Sequence, residues 1–158
     1  MDADGGSIFN ADLHTGVTQD YKKAVQWYKK AANMGLGISQ HDLAQMYIFG
    51  LGVEKDLQEA FDWEKKAADQ GIVEAKAQVG GFYFRGKPVT KNLHKAYSYL
   101  KESAEQGEAV AQYYLAIMYI SGEGVPKDIE KAEYWLRRSA DAGRQEARQL
   151  LEEIAEKK

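Results

Sequence analysis

The chain contains no cysteine. Disulfide stapling, thiolate nucleophiles and cysteine-bound zinc are thereby excluded. Compartment stays open, since a cysteine-free chain works on either side of a membrane. Proline is scarce: only Pro88 and Pro126 occur, both in inter-unit loops where a missing N–H costs little. No apolar run nears the roughly 20 residues of a membrane-spanning helix. Residues 1–20 show no signal-peptide pattern. Charge of one sign is missing as well. Lys and Arg number 21 against 24 Asp and Glu, leaving a net charge of −3. No basic stripe appears that would follow a nucleic acid. The expectation is therefore no nucleic-acid partner and no membrane insertion. What remains is 44% hydrophobic and 28% charged over 158 residues, the composition of a globular chain.

What the chain does have is repetition. Asp20, Asp56, Asn92 and Asp128 stand 36 residues apart. Ala24, Ala60, Ala96 and Ala132 keep the step, as do Trp27, Trp63, Tyr99 and Trp135. Gly35, Gly71, Gly107 and Gly143 close each copy. Leu43, Val79, Leu115 and Leu151 form a further column, and small residues follow the first three: Ala44, Gly80 and Ala116. Tyr47, Tyr83 and Tyr119 come next, then Gly50, Gly86 and Gly122. Self-similarity at such a period means stacked supersecondary units rather than one closed core.

Each unit reads as two helices. The Asp or Asn of the first column suits an N-cap, and Asp56 with Glu59 has capping-box spacing. Apolar positions then follow helical spacing, and the closing Gly suits a left-handed helix end. These B helices are expected near 20–34, 56–70, 92–106 and 128–142. The A helices carry the Leu-small-x-x-Tyr column and are expected near 39–49, 73–85, 109–121 and 145–157. The small residue lets a neighbouring backbone approach. Two A helices lead into Gly-x-Gly-Val turns, at Gly50/Gly52 and Gly122/Gly124. The third reads Gly86-Lys87-Pro88, so its turn should differ. No strand pattern is present. Residues 1–19 read as a polar, Gly-rich leader (Met1–Ser7) and the irregular remnant of a preceding unit (Ile8–Thr18). Residues 20–158 read as a single solenoid domain. Its last helix replaces the small residue by Glu152 and the Tyr by Ala155, and is polar through Arg148, Glu153, Glu156 and Lys157. A polar final helix is what a solenoid needs as a cap.

Catalytic constellations are missing. His14, His41 and His94 sit in no H-x-x-x-H or H-E-x-x-H setting. Ser103 and Ser139 replace Ala in a repeat column, and no G-x-S-x-G elbow exists. Carboxylate neighbours such as Glu152 and Glu153 have nothing to desolvate one of them. The Gly-x-Gly turns precede a helix start, but no strand leads into them, so they read as turns. No metal and no cofactor is expected, and the chain reads as not an enzyme.

The composite unit is clearest at residues 111–143, AQYYLAIMYISGEGVPKDIEKAEYWLRRSADAG. It resembles the Sel-one-like repeat, a relative of the tetratricopeptide repeat, over roughly residues 16–157. The resemblance implies an all-α, right-handed superhelical solenoid of antiparallel helix pairs, with about seven or eight helices. It further implies a non-catalytic adaptor or scaffold that binds a protein or peptide on the concave face lined by the A helices. Carried over to this sequence, the groove columns lie off the Leu-small-x-x-Tyr face. They give Ile38, His41, Gln45, Ile48 and Phe49 in the first A helix, then Phe84 and Arg85 in the second, then Tyr113, Ile117 and Ile120 in the third. Large apolar members such as Ile48, Phe49, Phe84 and Ile117 read either as a recognition stripe or as packing between neighbouring A helices. Two other functions stand beside the adaptor. One is a cell-envelope enzyme or regulator acting on peptidoglycan-type substrates, as linked to disulfide-bonded relatives; the missing cysteines count against it. The other is a structural spacer with no ligand of its own. Partner identity, oligomeric state and compartment stay open.

Overall fold

A computed structural model describes residues 11–158, with side chains from residue 20 onward. The reading of Met1–Ser7 as a leader falls outside the described residues. Eight helices follow one another: α1 Ala11–Asn33, α2 Gly37–Phe49, α3 Leu57–Asp69, α4 Val73–Arg85, α5 Leu93–Glu105, α6 Ala109–Ser121, α7 Ile129–Asp141 and α8 Gln145–Glu156. Among the described residues there is no strand. The chain is all-α, built of stacked helix pairs, as the periodicity predicts. It packs as two compact units, Met1–Gln70 with α1 to α3 and Gly71–Lys158 with α4 to α8.

Repeated local chemistry sets the helix ends. Asp56 accepts from the N–H groups of Gln58 and Glu59 at 3.0 and 3.1 Å. Asn92 and Asp128 each accept from the N–H three residues on, at 2.9 and 3.0 Å. Each satisfies a donor that the helix itself leaves open. The capping box is only half formed, however. The Asp56 N–H, which Glu59 would have received, donates instead to the Tyr47 carbonyl at 3.0 Å. Asn92 and Asp128 do the same to Tyr83 and Tyr119, at 3.0 and 2.9 Å. The Tyr column thus lends its backbone as well as its ring, tying the end of each A helix to the start of the next B helix. Between the two lie the inter-unit turns. Gly52 and Gly124 take φ of +71° and +78°, whereas the third copy holds Pro88 there, after a cis peptide bond.

The first helix departs from expectation. Asp20 caps nothing, because α1 already runs from Ala11. In later copies a glycine in the left-handed conformation stops the preceding A helix, at Gly50, Gly86 and Gly122. The matching residue here is His14, so no helix stop precedes Asp20.

The first unit buries Val25, Ala32 and Leu43, with Tyr28, Tyr47 and Trp63 packed on them. The second buries Leu100, Leu115, Met118 and Leu136 completely. Each such side chain contributes about 1.5–3 kcal/mol. The small-residue column is explained directly. A methyl group at Gly80 would lie 2.7 Å from Leu100 Cγ and 3.2 Å from its backbone N, so a B helix rests on this spot of α4. Ser103 and Ser139 are buried and donate to the carbonyls of Val73 and Ala109, both at 2.8 Å. They are packing residues. The polar α8 attaches by Ala147, Leu150, Leu151 and Ile154.

Candidate interaction surface

In the first unit the predicted positions all lie on α2. Ile38 and Phe49, near its two ends, are 67% and 65% exposed. Ile48 is half-buried. His41 and Gln45, expected to face a groove, are turned to a different task. His41 Nδ1 lies 2.9 Å from Glu64 Oε2, and Gln45 Nε2 donates to Glu64 Oε1 at 2.7 Å. Glu64, on α3, is fully buried. Its place in the repeat is that of Leu100 and Leu136, which fill the core of the second unit. Burial pushes the Glu64 carboxyl above the ordinary glutamate value, and the His41 and Gln45 hydrogen bonds pull the other way. Asp42 adds to the rise. The sequence reading missed Glu64. The available signal was a carboxylate standing in an otherwise leucine column.

In the second unit the predicted residues gather around one the sequence reading omitted, Tyr114. Arg85 Nη1 on α4 donates to the Tyr114 hydroxyl at 2.8 Å, and its guanidinium lies 5.8 Å from that ring. Phe84 tilts against Tyr114 with centroids 5.6 Å apart, and Tyr113 meets it edge-on at 6.1 Å. The Arg144 guanidinium covers Tyr113 at 5.0 Å. Phe84, Tyr113 and Tyr114 are half-buried against the core, while Arg85 is exposed. The structure thus brings Phe84, Arg85 and Tyr113 into one patch. Ile117 is half-buried further along α6. Ile120 lies apart from this patch, in a pocket of about 340 Å³ with Ile129, Ile154 and three lysines. Exposure differs residue by residue: Ile38 and Phe49 are open, whereas Phe84 and Tyr113 are half-buried.

Among the described residues no three His, Cys, Asp or Glu side chains converge to hold a metal. Nor is any helix there long and apolar enough to cross a membrane.

The Sel1 repeat pattern matches residues 11–36, 37–72, 73–108 and 109–143. Solved bacterial structures are similar. A protective antigen of uropathogenic Escherichia coli with an SLR fold is 37% identical, with a TM-score of 0.80 over 85% of this chain and 29% of its own length. A Sel1 repeat protein from Oxalobacter formigenes is 35% identical, with a TM-score of 0.76 over 89% and 57%. Helicobacter pylori cysteine-rich protein B is 25% identical, with a TM-score of 0.61 over 85% and 97%. The chain therefore spans 29% and 57% of the first two proteins. No curated protein matches it by sequence. Sel1-repeat proteins are in general protein-interaction scaffolds without enzymatic activity.

Proposed function

We propose that this chain, which belongs to the Sel1-repeat family, is a non-catalytic adaptor that holds a protein or peptide partner on its A helices. The observation that supports this most is the Phe84–Arg85–Tyr113–Tyr114 patch. Its rings are anchored in the core and ordered by a hydrogen-bonded guanidinium, so little freedom is lost when a partner docks. Aromatic and arginine side chains in such settings dominate binding energy. The suited ligand is a segment with an aliphatic or aromatic anchor beside an acidic residue.

The test is affinity capture from native-host lysate with wild type and Arg85→Glu side by side. Arg85 is exposed, so circular dichroism should report an intact fold in the variant. A protein kept by wild type and lost by the folded variant supports the adaptor. A protein that both retain equally removes the patch from the reading. If neither retains anything specific, a structural spacer becomes the better account.

A further inference from the structure

The tyrosine column offers a comparison within the chain. In two copies a lysine from the first turn of the following helix lies over the tyrosine ring. Lys95 Nζ stands 5.2 Å from the Tyr83 ring centroid, and Lys131 Nζ stands 5.5 Å from that of Tyr119. The electron-rich face of a ring attracts an ammonium at such a distance. The column of these lysines reads Lys23, Glu59, Lys95 and Lys131. Beside Tyr47, therefore, a carboxylate stands where two other tyrosines have their ammonium. A second column changes in the same copy: Glu54 stands where the others have Thr18, Thr90 and Pro126.

Tyr47 lines an open cavity of about 410 Å³, with Val53, Glu54, Lys55, Asp56 and Glu59 around it. Its side chain is half-buried, whereas Glu54 and Glu59 are exposed. Among the described residues no cation lies over the Tyr47 ring, Lys55 included, and neither Glu54 nor Glu59 has an ion-pair partner. Asp56 is engaged as the cap of α3. Glu59 has capping-box spacing but no capping role, because the Asp56 N–H donates to the Tyr47 carbonyl. The helix dipole favours a carboxylate in the first turn of every copy, so it does not explain why this copy alone exchanges lysine for glutamate. Everything compared here lies between Tyr47 and Glu59, inside the first unit.

We infer that this cavity receives a lysine side chain of a partner protein, with its ammonium over the Tyr47 ring and beside the Glu54 and Glu59 carboxylates. The later copies show that a lysine side chain suits the ring of this column. The two added carboxylates give the cavity the charge that such a side chain complements. The site is independent of the aromatic patch on α4 and α6.

The test is an NMR titration of the isotope-labelled 158-residue chain with acetyl-Gly-Lys-Gly-amide. The control is acetyl-Gly-norleucine-Gly-amide, whose side chain lacks the ammonium. Saturable amide shifts centred on residues 47–59 are expected with the lysine peptide and none with the control. Glu59→Lys should weaken binding about tenfold, because it restores the arrangement of the later copies and fills the ring face from within. The methylene protons of the introduced side chain should also move upfield under the Tyr47 ring, which a mere loss of negative charge would not produce. Glu54→Gln should weaken binding about threefold. Both residues are exposed, and unchanged shifts away from the cavity check that the fold is kept. Absence of saturable shifts with the lysine peptide overturns the inference, as do equal shifts with the norleucine control. Binding that Glu59→Lys leaves unchanged overturns it too. So do shifts at the cavity from calcium chloride with none from the peptide, because the carboxylates would then serve a metal ion.

Discussion

Position 64 in the first unit and positions 100 and 136 in the second are the same place in the repeat, filled in two ways. Leu100 and Leu136 are fully buried hydrocarbon. Glu64 is fully buried carboxylate, held by His41 and Gln45. The residues that correspond to His41 and Gln45 are Ala77 and Gly81 ahead of Leu100, then Tyr113 and Ile117 ahead of Leu136. The exchange is therefore of a set rather than of one residue. A buried carboxylate is tolerated only where donors face it, and the two donors appear in the repeat that has the carboxylate. A repeat fold fixes the place and leaves its chemistry open, provided all the side chains meeting there change together.

Breaking that rule should cost most. Leu100→Glu puts a carboxylate opposite Ala77 and Gly81, which offer it no side-chain donor. The expected loss is about 4 kcal/mol in urea unfolding followed by circular dichroism. A loss below about 1 kcal/mol would mean that the site opens to water and that Glu64 needs no partners. Gln45→Leu tests the first unit from the other side. It removes the 2.7 Å donor to Glu64 Oε1 and should cost about 2 kcal/mol at neutral pH, in the range of hydrogen bonds to charged groups. Glu64→Leu gives the first unit the chemistry of the second. The change is made to one member only, so the Gln45 amide and the His41 ring lose the acceptor they share, and a loss of about 1 kcal/mol is expected. A gain would show that leucine serves this place whatever faces it, and that the side chains there need not change together.

The fold was largely legible from one sequence, because each column was read four times. From α2 onward the helices fall within a few residues of their expected bounds, since an N-cap Asp or Asn and a closing glycine recur at fixed steps. The misreadings have local causes. Asp20 carries the signature of a cap, but the glycine that ends the preceding helix elsewhere is absent. The Asp56–Glu59 spacing predicts a reciprocal box, yet the Asp56 N–H is taken by Tyr47; spacing along one helix does not report a competitor on another. The proposed patch was less legible. Helical offsets single out Phe84, Arg85 and Tyr113 but not Tyr114, which touches all three and sits beside the Leu115 column. They also assigned His41 and Gln45 to a groove, because a lone carboxylate on α3 reads as surface charge until its burial is seen.

The smallest expected effect is also the most specific to position 64. Burial raises the Glu64 carboxyl above the ordinary value of 4.5, so the folded chain holds this proton more tightly than the unfolded chain does. The stability that this group contributes is then fully present below 4.5 and is lost as pH rises through the folded value. Wild type should therefore gain stability relative to Glu64→Gln as pH falls from neutrality toward the ordinary glutamate value. Glutamine keeps the shape and the acceptor but cannot titrate, so the difference between the two proteins reports Glu64 together with the His41 ring that bonds it. The measurement is the urea midpoint of both proteins across that window. A flat difference would mean that His41 and Gln45 fully offset the burial of the charge. A difference of opposite slope would mean that they more than offset it, and that the carboxylate in the leucine column is stabilised in its charged form.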